Sequence, residues 1–286
     1  MFLFGHLHYC EPTMSRFDIA LPHTFKHGES IKLKDFSSGP PEDIGFGKKA
    51  AHKRIGLNAV EMAEMAKRLY AENRRSILLV LQGMDTAGKD GTIRWVMRGM
   101  NPTSCQVTSF KRPSEIELDH DFLWRCHKAV PRKGNIGIFN RSHYEDVLVV
   151  RVHSLVPESV WSERYEQIND FEKLLSSTGT TIVKCFLHIS KETQRERLQE
   201  RIDVTEKHWK FNPGDLKERK LWSEYQQAYE AALSKCNSEH SPWYIIPSDK
   251  KWYRNLVISQ LLKRVLEDLD PQFPEAEEDF RGLVVE

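Results

Sequence analysis

The stretch SILLVLQGMDTAGKDGT, Ser76 to Thr92, constrains the fold more than any other part of the chain. An unbroken apolar run stops at a glycine, and a second glycine and a lysine follow in the spacing G-x-x-x-x-G-K, with Gly83, Gly88 and Lys89. Such a loop between a buried strand and a helix turns backbone N–H groups inward, and the helix start adds partial positive charge. The lysine then reaches the outer phosphates of an anionic chain. Gly83, Met84, Asp85, Thr86, Ala87, Gly88, Lys89, Asp90, Gly91 and Thr92 therefore form a candidate phosphate cradle. The competing reading is an ordinary glycine turn between a strand and a helix.

Two residues do not suit a simple anion cradle. The position after the lysine normally carries a hydroxyl, and here it is Asp90, while Asp85 lies inside the loop. A carboxylate about 4 Å from a phosphate oxygen is repelled by roughly 4 kcal/mol at an effective dielectric of about 20. A cation between them removes that penalty, and Mg²⁺ favours one or two carboxylates with phosphate oxygens and waters. Asp85 and Asp90 are thus candidate magnesium ligands. For Asp90 the alternative is a first-turn acid that complements the helix dipole.

Short buried strands are expected at 77–81, 135–140, 181–190 and 243–249, with another leading into Lys111. Helical patterns fall at 48–75, 89–100, 114–129, 158–176, 191–202, 215–236 and 251–269. Strands alternating with helices predict a three-layer α/β/α sandwich with a mainly parallel sheet. In the first helix, Leu57, Val60, Ala63 or Met65 and Leu69 are expected on the buried face. The expected organisation is an irregular arm (1–47), a phosphate-loop kinase-like domain (48–270) and an acidic, proline-broken tail (271–286).

Three further segments carry candidate chemistry. In IGIFNRSHYEDVLV an apolar strand ends in polar residues, where phosphate-loop enzymes place a second acidic motif. The usual strand-end Asp is here Asn140, followed by Arg141, Glu145 and Asp146. Arg141 is a candidate phosphate contact, and an Arg141–Asp146 ion pair is its structural alternative. In SFKRPSEIE the adjacent Lys111 and Arg112 suit a phosphate chain, with Arg125 downstream. The segment 195–222 crowds Arg195, Arg197, Arg201, Lys207, Lys210, Lys217, Arg219 and Lys220 around an NPGD turn, the composition of a lid that closes over phosphates. Trp209, Trp222, Tyr225 and Tyr229 are expected in core or lid packing.

Composition narrows the function classes. Lys plus Arg number 42 against 41 Asp plus Glu, so no global field draws a polyanion, and nucleic acid is not an expected partner. No zinc-site spacing, G-x-S-x-G or guanine-reading N-K-x-D is present. No apolar run approaches a membrane span, and the opening MFLFGHLHYC lacks the basic start and cleavage pattern of a signal peptide. Five cysteines, none in a C-x-x-C pair, fit a reducing, cytoplasmic setting.

Together, LLVLQGMDTAGKDGTI, SFKRPS, FLWR, IFNRSHYEDVLV, FLHISKETQRERLQERI, WKFNPGDLKER and PWYIIPSDKKWYRN resemble the family-2 polyphosphate kinases. The motifs run in family order over about residues 48–270. The resemblance implies Mg²⁺-dependent phosphoryl transfer between inorganic polyphosphate and AMP or ADP, giving ADP or ATP. It implies phosphate contacts from Lys89, Lys111 and Arg112 and magnesium binding at Asp85. Arg141, Glu145 and the lid residues Arg197 and Arg201 then flank the transfer site, and Lys210 belongs to the same basic segment. The form NRSHYED resembles the subgroup that accepts both AMP and ADP, where other members carry Asn in place of Glu145. A homo-oligomer, dimer or tetramer, is the expected assembly. An ATP-dependent nucleotide kinase of the same fold and a non-catalytic nucleotide- or polyanion-binding module are the rival readings.

Overall fold

The computed structural model describes residues 25, 26, 28–276, 284 and 285. Cys10, the opening apolar segment and residues 277–283 and 286 of the acidic tail lie outside them.

Five strands form one sheet: β1 (Ser76–Gln82), β2 (Cys105–Ser109), β3 (Ile136–Asn140), β4 (Thr180–His188) and β5 (Trp243–Pro247). The spatial order is β2-β3-β1-β4-β5, and every pairing is parallel. The strand SILLVLQ therefore lies at the centre, with β3 and β4 as neighbours. All seven of its residues are buried, as a strand covered on both faces requires. Fully burying each Leu or Ile there contributes ~1.5–3 kcal/mol.

The principal helices are α1 (Lys48–Glu72), α2 (Lys89–Val96), α3 (Glu115–Leu118), α4 (Trp124–His127), α5 (Val149–Val152), α6 (Glu158–Trp161), α7 (Arg164–Ser177), α8 (Lys191–Asp203), α9 (Pro213–Lys220), α10 (Trp222–Lys235) and α11 (Lys251–Leu269). They cover both sides of the sheet, with α1, α2 and α11 packed together as one group.

Several expected helices are shorter or broken. The segment 114–129 forms two single turns. Ser114 and Glu117 close a capping box on the first, and Asp121 Oδ1 accepts Leu123 N–H at 2.9 Å before the second. Such local side-chain bonds compete with a continuous helix. The segment 158–176 splits into α6 and α7, and 215–236 breaks at Leu221 into α9 and α10. Helix α2 stops at Val96, ahead of Gly99 at φ +94°.

Of the expected α1 face, Leu69 is buried but the N-terminal part is shifted. The helix's buried stripe is Ala51, Ile55, Asn58, Ala59, Met62, Ala66 and Leu69, while Leu57 and Val60 are exposed. Asn58 belongs to the buried side because its Nδ2 donates to Ser259 Oγ on α11 at 3.0 Å. A polar residue on the inner face masked the apolar period.

The described part of the arm packs on the domain. Leu33 N–H donates to Glu230 Oε1 on α10, and Ile31 N–H to Ser234 Oγ, each at 2.9 Å.

Candidate active site

In a parallel sheet the strands end on one edge, and ligands bind outside those carboxyl ends where the strand order reverses. Here β1 runs into the glycine loop, β2 into Lys111 and Arg112, β3 into Asn140–Asp146, β4 into α8, and β5 into Ser248–Arg254. The sequence motifs converge on this edge.

The loop needs glycine at two points. Gly83 has φ +153°, and a Cβ there would lie 2.8 Å from Leu187 O on β4. Gly88 has φ +103°, and a Cβ there would lie 1.9 Å from Arg254 Nη1. Thr86 also takes a left-handed conformation, at φ +65°. Lys89 opens α2, and its Nζ donates to Gly83 O at 2.7 Å, so the ammonium folds back over the loop. Burial pushes this ammonium below the usual lysine range, and nearby Arg141 adds to the shift. Asp85, Glu145 and Asp90 pull the other way.

Both acids of the loop have protein donors. Arg141 Nη2 reaches Asp85 Oδ1 at 3.0 Å. Asn140 Nδ2 donates to Asp90 Oδ1 at 2.7 Å. The two departures expected from sequence, an acid for a hydroxyl at 90 and an amide for an acid at 140, therefore meet across the cleft. One carboxylate is kept at this point, on the loop instead of the strand end. Arg141 itself sits at φ +63°, a strained conformation for a residue with a side chain.

The alternative Arg141–Asp146 pair does not form. Asp146 instead pairs with Arg164 at 2.8 Å, and burial pushes its carboxyl up to about 6. The turn carrying Arg141 and Glu145 is anchored from beneath. Tyr144 OH donates to Glu172 Oε1 at 2.8 Å, and Lys184 Nζ bonds Glu172 Oε2 at 2.5 Å, Cys236 O at 2.6 Å and Tyr144 OH at 2.9 Å. His143 Nε2 lies 3.1 Å from Glu172 Oε1. Burial lowers the His143 pKa, with Glu172 opposing the shift.

The basic segments divide by burial. Lys111 and Arg112 are exposed at the cleft rim, and Lys210 is exposed on the 195–222 segment. Arg201 bonds Asp215 Oδ2 at 2.9 Å and Lys210 O at 3.1 Å, which ties that segment together. Asp215 lies within the electrostatic reach of Asp85 and Arg141. Burial, with Asp85 adding to it, raises its carboxyl above the ordinary range.

Two residues expected at the phosphates, Arg125 and Arg197, are buried with backbone carbonyl partners. Arg125 is buried, donates to Lys111 O at 2.8 Å and stacks over Phe110, so it supports the Lys111 loop from behind. Arg197 does not project from a lid. It is buried and donates to Thr86 O at 2.9 Å and Ser248 O at 2.7 Å. Trp209 is also corrected. It is 79% exposed with Lys210 over its ring, whereas Tyr229 is in the core and Trp222 and Tyr225 pack at its edge.

Sequence reasoning missed Gln194, whose Nε2 donates to Asp85 O at 3.2 Å, and Arg254 beneath Gly88. Both contacts join residues more than 100 positions apart, so no local pattern announces them. Among the described residues, no group of three or more His, Cys, Asp or Glu is arranged to hold a metal.

Residues 46–274 match the family described as Polyphosphate kinase 2. The chain belongs to the polyphosphate kinase 2 family. It is similar to an AMP/ADP-polyphosphate phosphotransferase of Meiothermus ruber, 51% identical over 90% of this chain and 96% of that protein. It is also similar to an ADP-polyphosphate phosphotransferase of Rhodopseudomonas palustris, 44% identical over 86% of this chain and 93% of the relative. The crystal structure of a polyphosphate kinase 2 from Arthrobacter aurescens superposes with a TM-score of 0.85 at 39% identity, covering 91% of this chain and 96% of that one.

Proposed function

We propose that this chain transfers a phosphoryl group between inorganic polyphosphate and a nucleotide, with AMP and ADP both as acceptors. The observation that carries the reading is the meeting of Lys89, the Asp85–Arg141 pair and the Asn140-held Asp90 at the carboxyl ends of β1 and β3. The polyphosphate names of the similar proteins from Meiothermus and Rhodopseudomonas support the donor, and the AMP/ADP name supports the acceptor range.

The acceptor oxygen of AMP or ADP is already anionic, so the reaction needs little base catalysis. Positioning and charge neutralisation supply most of the rate. Lys89 and the loop amides hold the transferring group. Arg141, released from Asp85 toward phosphate oxygens, neutralises charge on the same side. Lys111 and Arg112 line the path of the chain, and the 195–222 segment closes over it as a lid, with Arg201 and Lys210 facing the phosphates. Glu145, three residues beyond the buried turn start at Ser142, selects the acceptor.

The donor set fits magnesium. Asp85 and Asp90 offer hard carboxylate oxygens beside the phosphate cradle, the number this ion takes from protein. When bound, Mg²⁺ offsets the charge of the phosphate oxygens that face these two acids. We place the enzyme in the cytoplasm, since Cys105, Cys126, Cys185 and Cys236 are all unpaired thiols.

The test is formation of ADP and ATP from AMP or ADP with polyphosphate, Mg²⁺ and no ATP. Lys89→Ala should lose roughly a thousandfold or more in kcat/KM, about 4 kcal/mol of transition-state stabilisation. Activity that requires ATP would favour an ordinary nucleotide kinase, and near-normal activity of the Lys89 variant would reject the loop as the transfer site.

A further inference from the structure

Arg197 and Arg254 are both buried beneath the glycine loop, 9% and 2% exposed. Their partners are unusual for buried cations. Arg254 Nη1 donates to Ala87 O at 2.8 Å, and its Nε and Nη2 donate to Asn255 Oδ1 at 3.1 and 2.9 Å. Arg197 Nη1 donates to Thr86 O at 2.9 Å and Ala87 O at 3.3 Å, and its Nη2 to Ser248 O and Asp249 O. All of these acceptors are neutral, and none is a carboxylate. Burial, with repulsion from Arg197, lowers the Arg254 pKa to about 9.

Asp249, Glu200 and Glu196 partly offset the charge of Arg197, but no acid offsets Arg254, so the pair keeps a buried positive charge that calls for a compensating anion. The anion that the cradle reading brings to this edge of the sheet lies on the other side of the loop. The peptide geometry links the two sides. A trans peptide points its C=O and the following N–H in opposite directions. Both arginines hold Ala87 C=O downward, so the Gly88 N–H is aimed upward into the cradle. The guanidinium of Arg254 occupies the space a Gly88 Cβ would fill, 1.9 Å from Nη1, so its charge lies directly behind the Gly88 backbone.

We propose that Arg254, with Arg197, is a positioning residue of the phosphate loop: it fixes the direction of the Gly88 amide and supplies buried positive charge that offsets Asp85 and Asp90 and is neutralised by bound polyphosphate. This rests on the reading of the loop as the polyphosphate cradle. It also explains how a loop with two carboxylates attracts an anion in a chain with almost no net charge. In a poorly screened interior, a buried cation acts across the thickness of one backbone strand.

Asn255→Asp separates charge from fold. The substitution is nearly isosteric and keeps an acceptor for Arg254, but it gives the guanidinium a carboxylate and removes its net field. Inorganic tripolyphosphate in Mg²⁺ buffer is titrated calorimetrically into the full chain, alongside thermal unfolding without the phosphate. The expected result is binding weakened about tenfold or more, with a Tm equal to or above wild type, because the buried charge has lost its pairing deficit. Unchanged tripolyphosphate affinity in folded Asn255→Asp overturns the proposal. Failure of the wild-type protein to bind tripolyphosphate would instead sink the cradle reading itself. Should Asn255→Asp not fold, Arg254→Lys and Arg254→Met provide the comparison. Lysine keeps the charge, so it should bind at least about tenfold more tightly than methionine, and equal binding by the two overturns the proposal.

Discussion

Glu172→Gln should destabilise the fold by an amount that shrinks as pH rises. Glu172 is fully buried, and its carboxylate is held down to about 2, against burial, by Lys184 and His143. The ionised acid therefore faces the equally buried ammonium of Lys184 at neutral pH. Gln keeps the shape but removes the charge, and breaking a buried pair in this way costs about 3–5 kcal/mol. An upper limit follows from the alternative open to the variant. Lys184 can shed its proton in the folded state, which costs no more than about 4.6 kcal/mol at pH 7 for an amine of pKa about 10.4. That escape becomes cheaper by about 1.4 kcal/mol per pH unit, since the unfolded chain then binds one more proton than the folded one. The loss should fall to about 2 kcal/mol at pH 9. Urea unfolding at pH 7, 8 and 9 measures it, and a loss of 3 kcal/mol corresponds to a Tm lowered by about 6–12 °C. The wild-type protein supplies the complementary sign. Its Glu172 has a depressed folded pKa, so this contribution is present above about pH 4.3 and is lost as pH falls toward about 2. A loss below about 1 kcal/mol at pH 7, or one that stays flat from pH 7 to 9, would refute the ion-pair argument.

Two further outcomes bear on the site. Asn140→Asp should set two carboxylates together where Asn140 Nδ2 now meets Asp90 Oδ1 at 2.7 Å; without divalent ions the Tm should drop by several degrees, and Mg²⁺ should restore it, whereas a Tm indifferent to Mg²⁺ would argue against metal binding at Asp90. Glu145→Asn should lower kcat/KM with AMP about tenfold more than with ADP, a difference of about 1.4 kcal/mol, and equal losses with both acceptors would remove Glu145 as the selector.

The central features were legible because they are local in sequence. An apolar run, two glycines, a lysine and a helix fall within seventeen residues from Ser76 to Thr92, so strand, loop and helix start could be read together. The strand-end motif after β3 was legible for the same reason. What the sequence concealed was partnership over distance. Asp90 and Asn140 each read as a separate anomaly, and only the parallel pairing of β1 with β3 shows that one residue answers the other. Lys184 interrupts the apolar strand TTIVKCFLH, a visible sign of a buried cation, but its acid lies twelve residues earlier on α7. Arg197 sits in a segment so rich in exposed cations that nothing separated it from its neighbours until burial did.

The charge balance of the loop follows from those distant partners. Read alone, GMDTAGKDG carries two acids and one lysine, a poor cradle for a polyanion. In the fold Arg141 answers Asp85 from the front, Asn140 fixes Asp90, and Arg197 and Arg254 add two cations from behind. The acids leave room for a bridging cation, while the buried arginines keep the loop attractive to phosphate. That division places the adjustable charges where substrate arrives and the fixed charges where water does not reach. A chain with near-zero net charge can thus present a strongly cationic point, provided that point is assembled by the ends of β1, β3, β4 and β5 together.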